Sequence, residues 1–154
     1  EQILDPNKYL RNEQPETLAA LTVELAGWEL AQDGAIGEWG TRLMLMETLT
    51  PGDLVQAAAG WGNDNYQLFT SGPDAAFVWS YLAETEADAE DLTNALIVLA
   101  RDEMGATGSR EDGGGLLFDG GAPVVFIDRI EDAIFFIAST DGEAVADARQ
   151  QLGL

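Results

Sequence analysis

The chain has no cysteine and no histidine. Without thiols there is no disulfide, no iron–sulfur cluster and no thiolate zinc site, and nothing in the sequence reports the redox compartment. Without imidazole, the commonest general base, the Ser–His and Cys–His dyads and the usual zinc ligands are all missing. Basic residues are scarce, 7 against 28 acidic ones for a formal charge of −21, and Lys8 is the single lysine. Such a surface repels phosphates and anionic headgroups, which disfavours nucleic acids and membrane surfaces as partners. No apolar run approaches the roughly 18 residues of a membrane-spanning helix, so membrane insertion is not expected.

What is present suits a globular protein. A chain of 154 residues that is 46% hydrophobic fits one domain with a substantial core. The acidity admits two readings: a solvated surface kept soluble by self-repulsion, or adaptation to molar salt, which screens that repulsion. Residues 1–20 carry Pro6 and Pro15 and few apolar anchors, and read as an arm or linker to something upstream. A single domain is expected over 21–154.

Within it, Thr22–Leu25 reads as extended, with Gly27 as a helix breaker. From Ala35 to Leu49 the residues Ile36, Trp39, Leu43, Met46 and Leu49 follow helical spacing, with Asp33 near the N-cap. Pro51 ends that helix, and Thr50–Asp53 opens a short Ala-rich one that stops at Gly60. Tyr66–Phe69 and Ala75–Leu82 flank the turn Ser71-Gly72-Pro73-Asp74 and predict a hairpin. Thr85 and the acidic residues after it predict a helix N-terminus, with Ala89, Leu92, Leu96 and Leu99 as its stripe. Gly105–Gly115 reads as a polar connection and Leu116–Phe118 as a short strand. Val124–Arg129 and Ala133–Ser139 predict a second hairpin, whose Phe135-Phe136-Ile137 is apolar on both faces and therefore central. Thr140 or Asp141 caps a last helix, Gly142–Leu152. Two hairpins with segregated helices give an α+β fold with a mainly antiparallel sheet.

The chain offers little chemistry. No glycine-rich segment follows a strand and opens a helix, and no Gly-Lys-Ser/Thr occurs, so a phosphate-cradling loop is not expected. The carboxylates at 84–91 suit a solvated helix start. Asp112 and Asp119, with the glycines between them, lack the spacing of a Ca²⁺ loop. Neither a cofactor nor a metal site is expected, and the chain does not read as an enzyme. Trp39, Trp61 and Trp79 occupy helix-stripe and strand positions and read as core, while the pattern assigns Trp28 to neither core nor surface.

The densest local demands fall in Gln56–Thr70, where Gly60, Trp61, Gly62, Asp64 and Tyr66 form a structural motif. Gly60 ends a helix, Asn63-Asp64-Asn65 reads as a polar turn in which Asp64 accepts from nearby backbone N–H groups, and Tyr66 begins a strand.

Three segments occur in order: Glu1-Gln2-Ile3-Leu4-Asp5-Pro6-Asn7-Lys8-Tyr9-Leu10, Ile36-Gly37-Glu38-Trp39 and Ala58-Ala59-Gly60-Trp61-Gly62-Asn63-Asp64-Asn65-Tyr66. Together they resemble the C-terminal, non-catalytic region of bacterial secreted or lipoprotein-like proteins related to zinc metallopeptidases. The family's H-E-x-x-H helix is absent, so the resemblance does not carry zinc-dependent proteolysis to this chain. Asp5 stands at the arm's usual histidine position, and Asn63 at the second glycine of a G-W-G-G-D pattern. The resemblance implies an extracytoplasmic, non-enzymatic domain that packs on another protein or on an upstream domain of its own chain. The competing reading is a small-ligand-binding or hydrolytic domain with a carboxylate-lined cleft.

Overall fold

A computed structural model describes Leu10, Asn12 and residues 14–154. Most of the arm expected over 1–20 lies outside the described residues. Its end is not free: Glu16 N–H donates to the Gly62 carbonyl at 3.0 Å, and the Asn63 side chain donates to the Glu16 carbonyl at 2.6 Å.

The described elements run β1 (Glu29–Gly34), α1 (Gly37–Leu45), α2 (Pro51–Ala58), β2 (Trp61–Ser71), β3 (Asp74–Ala83) and α3 (Glu86–Val98). A π-helical turn (Leu99–Glu103) closes α3. Then come β4 (Ser109–Asp112), β5 (Gly115–Phe118), β6 (Val124–Ile130), β7 (Ala133–Ser139) and α4 (Gly142–Leu152). All the strands join one seven-stranded antiparallel sheet in the order β1-β2-β3-β7-β6-β5-β4. The fold is α+β, as the pattern of hairpins and segregated helices implies.

The β2–β3 and β6–β7 hairpins lie where turn chemistry places them. Glu131, at φ 58°, takes the left-handed conformation that a two-residue turn requires. β7 pairs with both β3 and β6, so its apolar run is central, with Phe136 buried on one face and Ile137 on the other. Two strands are additions to the sequence reading. β4 lies inside the segment read as a connection and forms a third hairpin with β5. β1 pairs along β2 with every residue exposed. Both are edge strands, so neither carries the buried alternation by which a strand is recognised.

The sheet is covered on both faces. On one, α1, α2 and α3 bury Leu45, Ala57, Trp79, Tyr81, Leu92, Leu96, Phe118 and Ile134. On the other, α4 and the extended segment before β1 bury Val23, Leu25, Phe69, Val78, Phe126, Ile137 and Val145. That segment joins no strand, and two glutamine side chains take up backbone groups at its centre. Gln67 accepts from Val23 N–H at 3.0 Å and donates to its carbonyl at 3.4 Å, and Gln151 does the same for Glu24 at 3.0 and 2.9 Å.

Helix caps follow the sequence at three of the described helices α1 to α4. Thr50, Thr85 and Asp141 each accept from a backbone N–H in the first turn of α2, α3 and α4. At α1 the expectation of an Asp33 cap is corrected: the N-cap is Ile36, which has no capping side chain of its own. The helix is also shorter than the span 35–49.

Candidate functional site

The motif around Trp61 is built differently from the turn expected there. β2 begins at Trp61, so Asn63-Asp64-Asn65 is strand and not turn, and Tyr66 lies in mid-strand. A bulge between Trp61 and Asn63 shifts the register by one residue. It turns Trp61, opposite Ala83, to the same face as Asp64, opposite Tyr81. Gly62 is the inserted residue, and a Cβ there would sit 3.0 Å from the Leu82 carbonyl oxygen. Gly60, at φ 70°, ends α2 as expected, and a Cβ on it would run into the Asp88 carboxylate at the start of α3. Tyr66 stacks on Phe77 with ring centroids 5.8 Å apart.

Asp64 is the centre of this joint. It is 1% exposed, and its carboxylate accepts from four N–H groups. Oδ2 takes Ile36 N–H at 2.6 Å and Trp79 Nε1–H at 3.0 Å, and Oδ1 takes Gly37 N–H at 2.8 Å and Trp61 Nε1–H at 2.6 Å. The local Asx turn expected of Asp64 is thereby corrected. Its partners are two indoles and the N-terminus of α1, whose free N–H groups and dipole favour a carboxylate there. The structure unites Trp61 and Asp64 of the motif and adds Trp79, which is fully buried and lies edge-on to Tyr81. The hint in the sequence was a carboxylate, Asp64, three residues after a tryptophan, Trp61. With all its lone pairs occupied, the carboxylate acts as a structural clamp.

Once clamped, α1 presents an unexpected side to solvent. Its buried face is Glu38, Thr41 and Leu45. Glu38 is only 6% exposed and pairs with Arg42 at 2.7 Å, while the Thr41 hydroxyl donates to the Gly37 carbonyl at 3.0 Å. Ile36, Met44 and Leu49 pack at the margin of the core. Trp39, Leu43 and Met46 are 58%, 50% and 52% exposed, which corrects the placement of Trp39 in the core. Their i, i+4, i+7 spacing makes one continuous stripe two turns long. Trp61 is half-buried, and Trp28 packs half-buried against the second core.

Other polar groups pair locally. Asp112 bonds Arg149 at 3.0 Å and Arg110 at 3.2 Å, and Asp119 bonds Arg110 at 3.1 Å. The hydrogen bond from Arg149, reinforced by the charges of Arg149 and Arg110, holds the Asp112 carboxyl below the usual aspartate range against the opposing effect of desolvation. The Arg149 guanidinium also lies 3.8 Å over the Phe126 ring, fastening α4 to the β4–β5 edge. Among the described residues no group of three or more Asp or Glu is arranged to hold a metal ion. A groove of about 200 Å³ between α2 and α3 contains Asp53 and Asp91 but no aromatic residue. Asp53 accepts from Thr50 Oγ1, and Asp91 from the Gln56 side chain. No helix among the described residues is long and apolar enough to cross a membrane.

Fold and surface define a class of α+β domain, a single antiparallel sheet covered on both faces with one helix keeping an apolar stripe outside. The chain belongs to the family of the domain of unknown function DUF8575, which it matches over residues 25–149. No curated protein and no solved structure matches it.

Proposed function

We propose that this is a non-enzymatic interaction domain that binds another polypeptide, or another part of its own, through the outer face of α1. The observation that carries the reading is the exposed stripe Trp39-Leu43-Met46 on a helix whose buried face holds a glutamate and a threonine. A helix that merely completes a core turns its apolar side inward. Here Asp64 anchors the helix start and Leu45 the core side, and Trp39, Leu43 and Met46 are left in water. A tryptophan, a leucine and a methionine together form a patch on the order of a few hundred Å², the size of the largest apolar patch on a typical monomer, which is often functional. Tryptophan and methionine are also enriched in interface cores.

The resemblance of the arm, the Gly37-Glu38-Trp39 helix and the Gly60–Tyr66 segment to the accessory region of peptidase-like secreted proteins supports an extracytoplasmic setting for this role. The test is affinity capture from the source cells with the wild-type domain and with the Trp39→Ser/Leu43→Ser variant. Polypeptides held by the first and lost by the second, with the variant still folded by circular dichroism, are the expected result. An identical captured set for both proteins would remove α1 as the contact surface.

A further inference from the structure

We infer that the partner of the α1 stripe is an amphipathic helix of another protein whose apolar face is flanked by lysine or arginine. This rests on the reading of α1 as the contact surface and adds the chemistry of what covers it.

The argument is one of charge and area. Between Gln14 and Ala100, the part of the chain that forms β1, α1, α2, β2, β3 and α3, there are fourteen carboxylic residues and one basic residue, Arg42. Arg42 is already paired with Glu38. The other basic side chains of the described structure belong to the π-turn, β4, β6 and α4: Arg101, Arg110, Arg129 and Arg149. The stripe therefore belongs to a stretch of chain whose single cation is already committed. Its own flank is acidic, because Glu47 is exposed four residues beyond Leu43.

A patch of a few hundred Å² falls short of the roughly 800 Å² per partner in a stable interface. The rest of the contact must come from the rim, and an acidic rim is complemented by a basic one. A second copy fits poorly: it would set Glu47 and a charge of −21 against the same groups. The stripe is straight and about 10 Å long, two turns of helix. An apposed helix matches it by inserting its own apolar side chains alongside Trp39, Leu43 and Met46.

The experiment uses two fluorescent synthetic helices with the same leucine face, one flanked by lysines and one by glutamates. Anisotropy is read for the full chain and for its Trp39→Ser/Leu43→Ser variant, both at about physiological salt. The lysine helix is expected to bind the wild type and to lose at least about tenfold in affinity to the variant, the loss of one good apolar anchor. The glutamate helix is expected to bind at least about tenfold more weakly than the lysine helix. Because the variant keeps every charge, lysine-helix binding that it does not weaken is non-specific attraction and overturns both this inference and the reading of α1. Stripe-dependent binding of the glutamate helix at equal or greater strength overturns the basic partner and leaves the surface standing. A dimer seen by analytical ultracentrifugation in the wild type and absent in the variant makes a second copy the occupant, which also overturns the inference.

Discussion

Asp64 shows how one side chain fixes the placement of a helix. Each of its oxygens receives one backbone N–H from the start of α1 and one indole N–H. An Asp64→Asn change keeps the shape and reverses the chemistry, because either orientation of the amide points its NH₂ at two donors. About 2–4 kcal/mol of stability should be lost, since unpaired buried donors cost about 1–3 kcal/mol each and α1's amides regain part of that from water. Urea denaturation followed by tryptophan fluorescence measures this, and a loss below about 1 kcal/mol would contradict the clamp. Arg149 offers a second residue-level test. The folded pKa of Asp112 lies below its unfolded value, so the ion pair's contribution to stability is present above the ordinary value of 3.8. It is lost as pH falls through the lower, folded value. Arg149→Met keeps an apolar side chain on Phe126 and removes the hydrogen bond that dominates the shift. The Asp112 carboxyl, followed by NMR, should then titrate closer to the ordinary value, and an unmoved titration would assign the shift to Arg110.

At the scale of the element, α1 illustrates why hydrophobic period alone misplaces a face. Two helical stripes run along it, 36/39/43/46 and 38/41/45, and the first is the more apolar. Its start is tied down by Asp64, and Leu45, at 0% exposure, fills the core from the second stripe. The helix is rotated so that a threonine and a paired glutamate lie underneath. Substitution of Trp39 and Leu43 by serine should therefore change stability by less than about 0.5 kcal/mol each, as at other surface positions. A buried stripe would instead cost about 2–5 kcal/mol per large side chain, so thermal denaturation separates the two placements. The edge strands follow the same logic. β1 and β4 are held by backbone pairing to β2 and β5, and most of their side chains face water.

For the molecule as a whole, the dominant fact is charge. The carboxylates are spread over both halves, and the ion pairs of the described residues engage few of them. Self-repulsion at low ionic strength opposes the compact state, and molar salt, with a Debye length of about 3 Å, removes it. The melting temperature should rise by on the order of 5 °C between about 0.05 M and about 1 M NaCl. A flat or falling melting temperature would leave the acidity as a solubility device with no link to salt.

The sequence by itself determined the fold class, the β2–β3 and β6–β7 hairpins, the central place of β7, and α2, α3 and α4 with their caps. These depend on turn residues, periodicity and N-caps, all of which act within a few residues of one another. It also marked Gly60, Trp61, Gly62, Asp64 and Tyr66 as a unit. Only the tertiary structure decided what that unit does. The bulge at Gly62 and the pairing of β2 with β3 bring Asp64 to Trp79, fifteen residues on, and to α1, more than twenty-five residues back. Those contacts set the rotation of α1 and leave Trp39 in solvent. A side chain reads its neighbours in space, and a hydrophobic pattern records only its neighbours along the chain.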